Sequence, residues 1–221
     1  MRMRKKKHLD ERLAACAAVD LGWIPDCVHN DGEREPQSGE DIFGSPAPLH
    51  LEIGCGKGKF INTLAALHPD ISFIAVEQSP NVIVSAMEQT LSAGLTNLRY
   101  FMGNAEYLRS VLKPDSVQRI YLNFSCPYPK ARYTKHRLTS ERFLAIYKEL
   151  LINGGEILQK TDNGEFFDYS LETLKNAGFE LRCVTRDLHN SGITGNIITE
   201  YEQRFLSQGL PINYLEAVNR K

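Results

Sequence analysis

The sequence predicts an α/β fold built on a mostly parallel, doubly wound sheet whose last strand runs antiparallel. Three observations carry that expectation. From Leu49 onward, short β-type runs alternate with helical ones, the order of βαβ units with helices on both faces of a parallel sheet. A glycine-rich turn, Gly54, Gly56 and Gly58, separates the first such run from the first helix. Near the end the rhythm breaks: two strand-like runs follow one another with only the loop NSGITGNII between them, too short for a crossover helix.

The elements follow in order. Residues 1–48 read as a basic N-terminal arm and a loop; from about residue 21 the stretch is rich in Gly, Pro, Asp, Glu and Ser. Residues 49–221 read as one folded domain, which a chain of 221 residues is long enough to build. LHLEIG, SFIAVE, NLRYFMG, RIYLNFS and GEILQKT are predicted strands. FINTLAALH, NVIVSAMEQTLSAG, AEYLRSVL, SERFLAIYKELLI and EFFDYSLETLKNAG carry apolar residues at helical spacing, with Gly94 and Gly178 where helices should stop. ELRCVTRDLH and TEYEQRFLSQG are expected to be the closing strands.

Composition excludes several classes. The longest apolar runs, such as Phe73–Val76 and Leu150–Ile152, fall far short of the roughly 20 residues of a membrane span. MRMRKKKH is basic, but the acids of LDERLAACAAVD rule out a signal sequence, so a cytoplasmic protein is expected. Five scattered cysteines (Cys16, Cys27, Cys55, Cys126, Cys183) form no CxxC pair and suggest neither a metal site nor a disulfide framework. With a net charge of −1, any nucleic acid must be met by local patches. Two exist: Arg2, Arg4, Lys5, Lys6, Lys7 and His8, and Lys130, Arg132, Lys135, His136, Arg137 and Arg142.

The glycine turn lacks the spacing of a phosphate-binding P-loop, and its GxGxG differs from the dinucleotide GxGxxG. Glu52 stands two residues ahead of Gly54; a carboxylate there repels a pyrophosphate but suits the ammonium and sulfonium charges of S-adenosyl-L-methionine (SAM). Glu77 ends the second strand, where a carboxylate can hold both ribose hydroxyls, and Asn104 follows the third, where an amide can meet the adenine edge. Together these favour SAM over a nicotinamide cofactor, and a Rossmann-like SAM-dependent methyltransferase fold. The fourth strand runs into NFSCPYPKARYTKHRLTSERF, a loop stiffened by Pro127 and Pro129 that carries Tyr128 and the second basic cluster, fit for a nucleotide substrate.

NFSCPYPKARYTKHRLT resembles the motif of the bacterial tRNA (guanine-N7-)-methyltransferases, whose common form is NFSDPWPKKRHxKRRL. LEIGCGKGKFI, YLNFS, KTDN, DLHNS and GNIITEYEQRF are similar to other blocks of that family, in the same order, and the resemblance runs from the N-terminus to about Pro211. It implies transfer of the SAM methyl group to N7 of a guanine in the tRNA variable loop. It further implies that Glu52, Glu77, Asn104 and Cys126 line the cofactor, and that Lys130, Asp162 and Thr199, Glu200, Tyr201 and Glu202 line the guanine. The basic arm and the 130–142 cluster are then expected to track tRNA phosphates. No metal and no membrane are expected, and the protein is a monomer or a homodimer. Read from the residues alone, Asp162 fits a helix cap equally well, and Thr199–Glu202 a plain edge strand.

The chain departs from the family pattern at two positions: Cys126 stands for the usual Asp and Tyr128 for the usual Trp. The first change removes a carboxylate from beside the sulfonium. It leaves open an enzyme working with its remaining acids, a non-catalytic tRNA-binding relative, or a cytosine C5-methyltransferase with Cys126 as nucleophile.

Overall fold

The computed structural model describes residues 5–22 and 35–221. Arg2, Arg4 and Cys27 lie outside the described residues, as does part of the expected loop. The chain forms two compact units that divide after Val111.

In the first unit, β1 (Leu49–Ile53), β2 (Ser72–Glu77) and β3 (Leu98–Met102) lie in the order β3-β2-β1. Both pairings are parallel, with Leu49 opposite Ser72 and Phe73 opposite Leu98. β1 is buried along its whole length and β2 up to its last residue, as expected of parallel strands covered on both faces. α3 (Lys59–Leu67) buries Phe60, Ile61, Leu64 and Ala65, one stripe at helical spacing. α4 (Pro80–Ser92) starts with proline in its first turn and buries Ile83, Val84, Ala86, Met87 and Thr90. The described part of the N-terminal arm packs on this unit: α1 (Leu9–Ala15) lies against α4, where Arg12 donates twice to Glu88 (2.6 and 2.7 Å). A short α2 (Gly39–Phe43), absent from the sequence reading, begins at a reciprocal cap between Ser38 and Asp41.

In the second unit the order is β4-β5-β7-β6. β4 (Val117–Asn123) pairs parallel with β5 (Leu151–Thr161), and Ile120 faces Ile157. α5 (Glu141–Leu150) precedes β5, and α6 (Gly164–Asn176) connects it to β6 (Phe179–Thr185). β7 (Asn213–Asn219) lies between β5 and β6 and is antiparallel to both. Gly94 and Gly178 follow the last residues of α4 and α6, as expected.

An antiparallel last strand is present, but not in the segment expected. TEYEQRFLSQG is not a strand: Glu200–Leu206 form α7, and the closing strand is the later NYLEAVN. The cause is local. Thr199 accepts from the backbone N–H of Glu202 (3.0 Å) and Glu202 accepts from that of Thr199 (3.2 Å), a capping box that starts a helix. Tyr201 and Phe205, one turn apart, then face the same ring, Phe124.

Candidate active site

The turn after β1 is built by glycines and braced by a buried network. Gly54 and Cys55 both donate to the carbonyl of Val76 (2.8 and 3.1 Å), which ties the turn to β2. Gly58, at φ +82°, precedes α3, and a Cβ there would stand 2.5 Å from that of Ala86 and 2.7 Å from Asn62 Nδ2. Only glycine permits α4 to approach so closely. Beneath it, Asn62 donates to the Gly58 carbonyl and to the Tyr100 hydroxyl (both 3.0 Å), and the Thr90 hydroxyl donates to Asn62 Oδ1 (2.7 Å). Tyr100 reaches the Ala86 carbonyl (3.1 Å), and burial pushes its phenol far up. None of these bracing residues was singled out from sequence. By contrast, a Cβ at Gly54 or Gly56 would meet nothing within 4 Å, so the turn offers open backbone to a ligand.

Glu77 is half-buried at the end of β2, and both its oxygens point back to the turn and to α4. One accepts from the Gly56 N–H (3.2 Å), the other from that of Ser79 (2.9 Å). Glu52 is buried at 2% exposure near the end of β1. The thiol of Cys55 registers both carboxylates: burial pushes it well up, and Glu52 and then Glu77 raise it further. Asn104 follows β3, and its Oδ1 accepts from the Glu106 N–H (3.1 Å), capping the 3-10 helix Ala105–Ser110. Glu52, Glu77, Asn104 and the three glycines therefore gather within the first unit, at strand ends.

In the second unit the loop after β4 is held in an uncommon shape. Phe124 and Tyr128 have φ of 48° and 41°, positions bulky residues rarely adopt. The Phe124 N–H donates to the Lys160 carbonyl (2.8 Å), and its ring stacks on Tyr201 (6.2 Å between centroids) and Phe205 (5.9 Å). Cys126 is exposed between them as a free thiol. Tyr128 packs on His136 at 5.7 Å, and burial, followed by Cys126, raises its phenol. Lys130, Arg132, Lys135 and Arg142 are exposed, whereas Arg137 is half-buried.

Asp162 is exposed just after β5 and does not cap the next helix. That is done by Asn163, whose Oδ1 accepts from the Phe166 N–H (2.8 Å). The 199–202 block splits in two. Glu200 and Tyr201 are exposed, Tyr201 at 59%. Thr199 and Glu202 are buried as the cap of α7. Glu202 is fully buried and takes the Lys160 ammonium (2.8 Å), the Asn196 amide and His189 Nε2 (3.1 Å). Lys160 also donates to Asn196 Oδ1 (3.0 Å) and to the Ile197 carbonyl (2.9 Å), so every donor of the buried ammonium is used. Lys160, His189 and Asn196 were missed as a framework, although all three fall in the blocks KTDN, DLHNS and GNIITEYEQRF. The Thr199-x-x-Glu202 spacing was the readable sign of a helix start. Among the described residues, no group of three or more His, Cys, Asp or Glu gathers for a metal, and no helix is long and apolar enough to cross a membrane.

A strand, a glycine turn braced by α4, and carboxylates at successive strand ends fit a methyltransferase, and the comparisons agree. A family model described as a putative methyltransferase matches residues 46–215. The chain is similar in structure to the 16S rRNA methyltransferase KamB, with a TM-score of 0.60 at 16% identity over 85% of this chain and 96% of that one. The fold is therefore that of the SAM-dependent methyltransferases. A tRNA (guanine-N(7)-)-methyltransferase of Geobacillus kaustophilus is 44% identical over 99% of this chain and 97% of its own. Another, of Listeria monocytogenes, is 46% identical over 98% of both. The chain belongs to the tRNA (guanine-N(7)-)-methyltransferase family.

Proposed function

We propose that this chain carries the methyl group of SAM to N7 of a guanine in the variable loop of tRNA, in the cytoplasm where tRNA is matured. The observation that carries this reading is 44% and 46% identity, over nearly the full chain, to enzymes of that name. The first unit fits the donor. Gly54 and Gly56 leave open backbone, and Glu77, fixed by two N–H groups, keeps acceptor capacity for ribose hydroxyls. Glu52 supplies negative charge for the methionine ammonium, and Asn104, whose oxygen is used as a cap, keeps its NH₂ for the adenine edge. When bound, SAM supplies an electrophilic methyl on a cationic sulfur.

The second unit fits the acceptor. Guanine N7 has a free lone pair, so no base is needed before attack, and positioning can supply several kcal/mol. Asp162 and Glu200, both exposed, accept from the guanine N1 and N2 hydrogens and balance the charge the ring gains. Tyr201 offers an exposed ring for stacking. Thr199 and Glu202 act by holding the start of α7, on which Glu200 and Tyr201 stand. Lys130, with Arg132, Lys135, His136 and Arg142, meets phosphates. In the N-terminal arm, the Lys6 backbone N–H donates to Asn81 and its ammonium to Ser85, so Lys6 also anchors the arm to its own unit, while Lys5 pairs with Asp10 within the arm. On this reading residues 49–221 are the methyltransferase domain and 1–48 its basic extension.

The test is incubation with labelled SAM and unmodified tRNA, followed by nucleoside mass spectrometry. The expected product is 7-methylguanosine; its absence, with tRNA and SAM both bound, would sink the reading. Cys126 separates the chemistries. On the proposed cofactor side its thiol is a weak donor, so Cys126→Ala should keep kcat within about fivefold, since a neutral hydrogen bond is worth about 1 kcal/mol. Complete loss of activity with 5-methylcytidine as the wild-type product would mark Cys126 as a nucleophile instead.

A further inference from the structure

We infer that Arg137 is a positioning residue for methyl transfer, one that fixes the loop Phe124–Pro129 and is not among the cations that meet RNA phosphate. The inference rests on the tRNA methyltransferase reading above. In the sequence Arg137 is one of six basic residues between 130 and 142, with nothing to set it apart. In the fold it is set apart by its contacts. Its Nε donates to the Pro127 carbonyl (2.8 Å) and its Nη2 to that of Tyr128 (3.2 Å). Its guanidinium lies over the ring of Tyr169 at 4.4 Å and near that of Phe166 at 5.8 Å, both on α6. The group is thus held between a helix face and the loop, with its fork used on two successive carbonyls.

The loop has reason to need it. Pro127 and Pro129 have no N–H, so this stretch of backbone lacks two of its usual donors. Tyr128 sits in the left-handed region, which a residue with a Cβ keeps only when its surroundings impose it. A guanidinium bound to the carbonyls of residues 127 and 128 imposes it from one side, while Lys160 and the rings of α7 hold Phe124 at the other end. Between those two supports lies Cys126, on the proposed cofactor side, and just beyond them lies Lys130, on the proposed tRNA side. Phe124 itself carries the ring against which Tyr201, proposed to stack on the guanine, is set. Lysine cannot replace this arrangement, because an ammonium has neither the planar fork nor the flat face that stacks on tyrosine.

The test uses the full chain with Arg137→Lys and Arg137→Gln. For both variants, kcat should fall on the order of 10- to 100-fold, the usual consequence of a misplaced reacting group. The KM for tRNA and the salt slope of tRNA binding should stay close to wild type. Hydrogen exchange of the peptide covering 124–129 should quicken by about tenfold or more, as for a segment released to open locally, with that of α5 unchanged. A lysine variant that matches wild type would overturn the inference, since charge alone would then suffice. So would weaker tRNA binding with a salt slope reduced by about one, the mark of a lost phosphate contact. Unchanged exchange in 124–129, or unchanged kcat per folded molecule with only a lower Tm, would overturn it equally. A wild type that makes no 7-methylguanosine would instead sink the assigned reaction, and with it the catalytic half of this inference. Faster exchange in the variants would show that outcome to be distinct from a failure of the Arg137 contact.

Discussion

Two turns leave strand ends in this molecule and both pass through the left-handed region, but by different means. After β1 the residues at positive φ are Gly54, Gly56 and Gly58; after β4 they are Phe124 and Tyr128. For glycine that conformation is nearly free, whereas a residue with a Cβ loses about 1–2 kcal/mol in it. The first turn therefore holds its shape largely through its own composition. The second needs contacts from afar: the Lys160 carbonyl, the Arg137 fork, and two rings of α7 stacked on Phe124. A turn of the first kind is written where it lies. One of the second kind is distributed over residues 124 to 205.

The largest effect should come from breaking that distributed support. Lys160→Met leaves Glu202 fully buried without its cation, and removing one partner of a buried pair costs about 3–5 kcal/mol. Urea unfolding should show that loss, and Lys160→Met/Glu202→Leu should recover part of it, since no unpaired charge then remains although Thr199, Asn196 and His189 lose their acceptor. A single variant losing less than about 1 kcal/mol would mean that the pair is no more than a surface contact and that α7 does not depend on it.

The same contrast explains what could be read in advance. The alternation of elements, the first five strands, four of the five helical runs and the glycine turn all rest on local patterns, and the structure has them near the expected positions. AEYLRSVL forms only the 3-10 helix Ala105–Ser110, and β5 begins at Leu151, within the end of the expected helix SERFLAIYKELLI. TEYEQRF failed because its charges alternate with rings as in an edge strand, while the deciding fact was the reciprocal cap of Thr199 and Glu202. That spacing was visible, but its weight comes from Lys160, Asn196 and His189, which burial brings to Glu202. Arg137 was grouped with its basic neighbours because nothing local distinguishes a guanidinium facing solvent from one lying on Tyr169. Asp162 and Asn163 compete for one cap on sequence, and only the geometry gives it to Asn163.

Within the first turn the comparison can be sharpened by moving one methyl group. Gly58→Ala meets Ala86 and Asn62 at 2.5 and 2.7 Å and adds backbone strain at φ +82°. It should cost about 2–4 kcal/mol, overpacking and conformation together. Gly56→Ala meets nothing within 4 Å and should lose only about 1–2 kcal/mol from φ +58°. For SAM the order should reverse: calorimetry should find Gly56→Ala the weaker binder per folded molecule, because its methyl group fills the open side of the turn. Equal stability losses would mean that α4 can yield, and that Gly58 is not the contact that sets its approach.

The smallest effect comes from the buried thiol of the first turn. Cys55 is buried in the first, where desolvation, then Glu52 and Glu77, hold its thiol well above the ordinary range. A group whose folded pKa is raised lends stability that is complete below its unfolded pKa and is lost as pH rises past it, because the unfolded thiol ionises and the folded one does not. For a thiol that loss starts near pH 8.5 and amounts to about 1 kcal/mol by pH 9.5, below the range in which Tyr100 contributes. Unfolding midpoints at pH 7.5, 8.5 and 9.5 should therefore fall less steeply for Cys55→Ala than for wild type. Cys126, by contrast, stands exposed in the second turn. If Cys55→Ala kept the wild-type slope, the first turn would be open at its cysteine, and the view that its backbone alone faces the ligand would have to be given up.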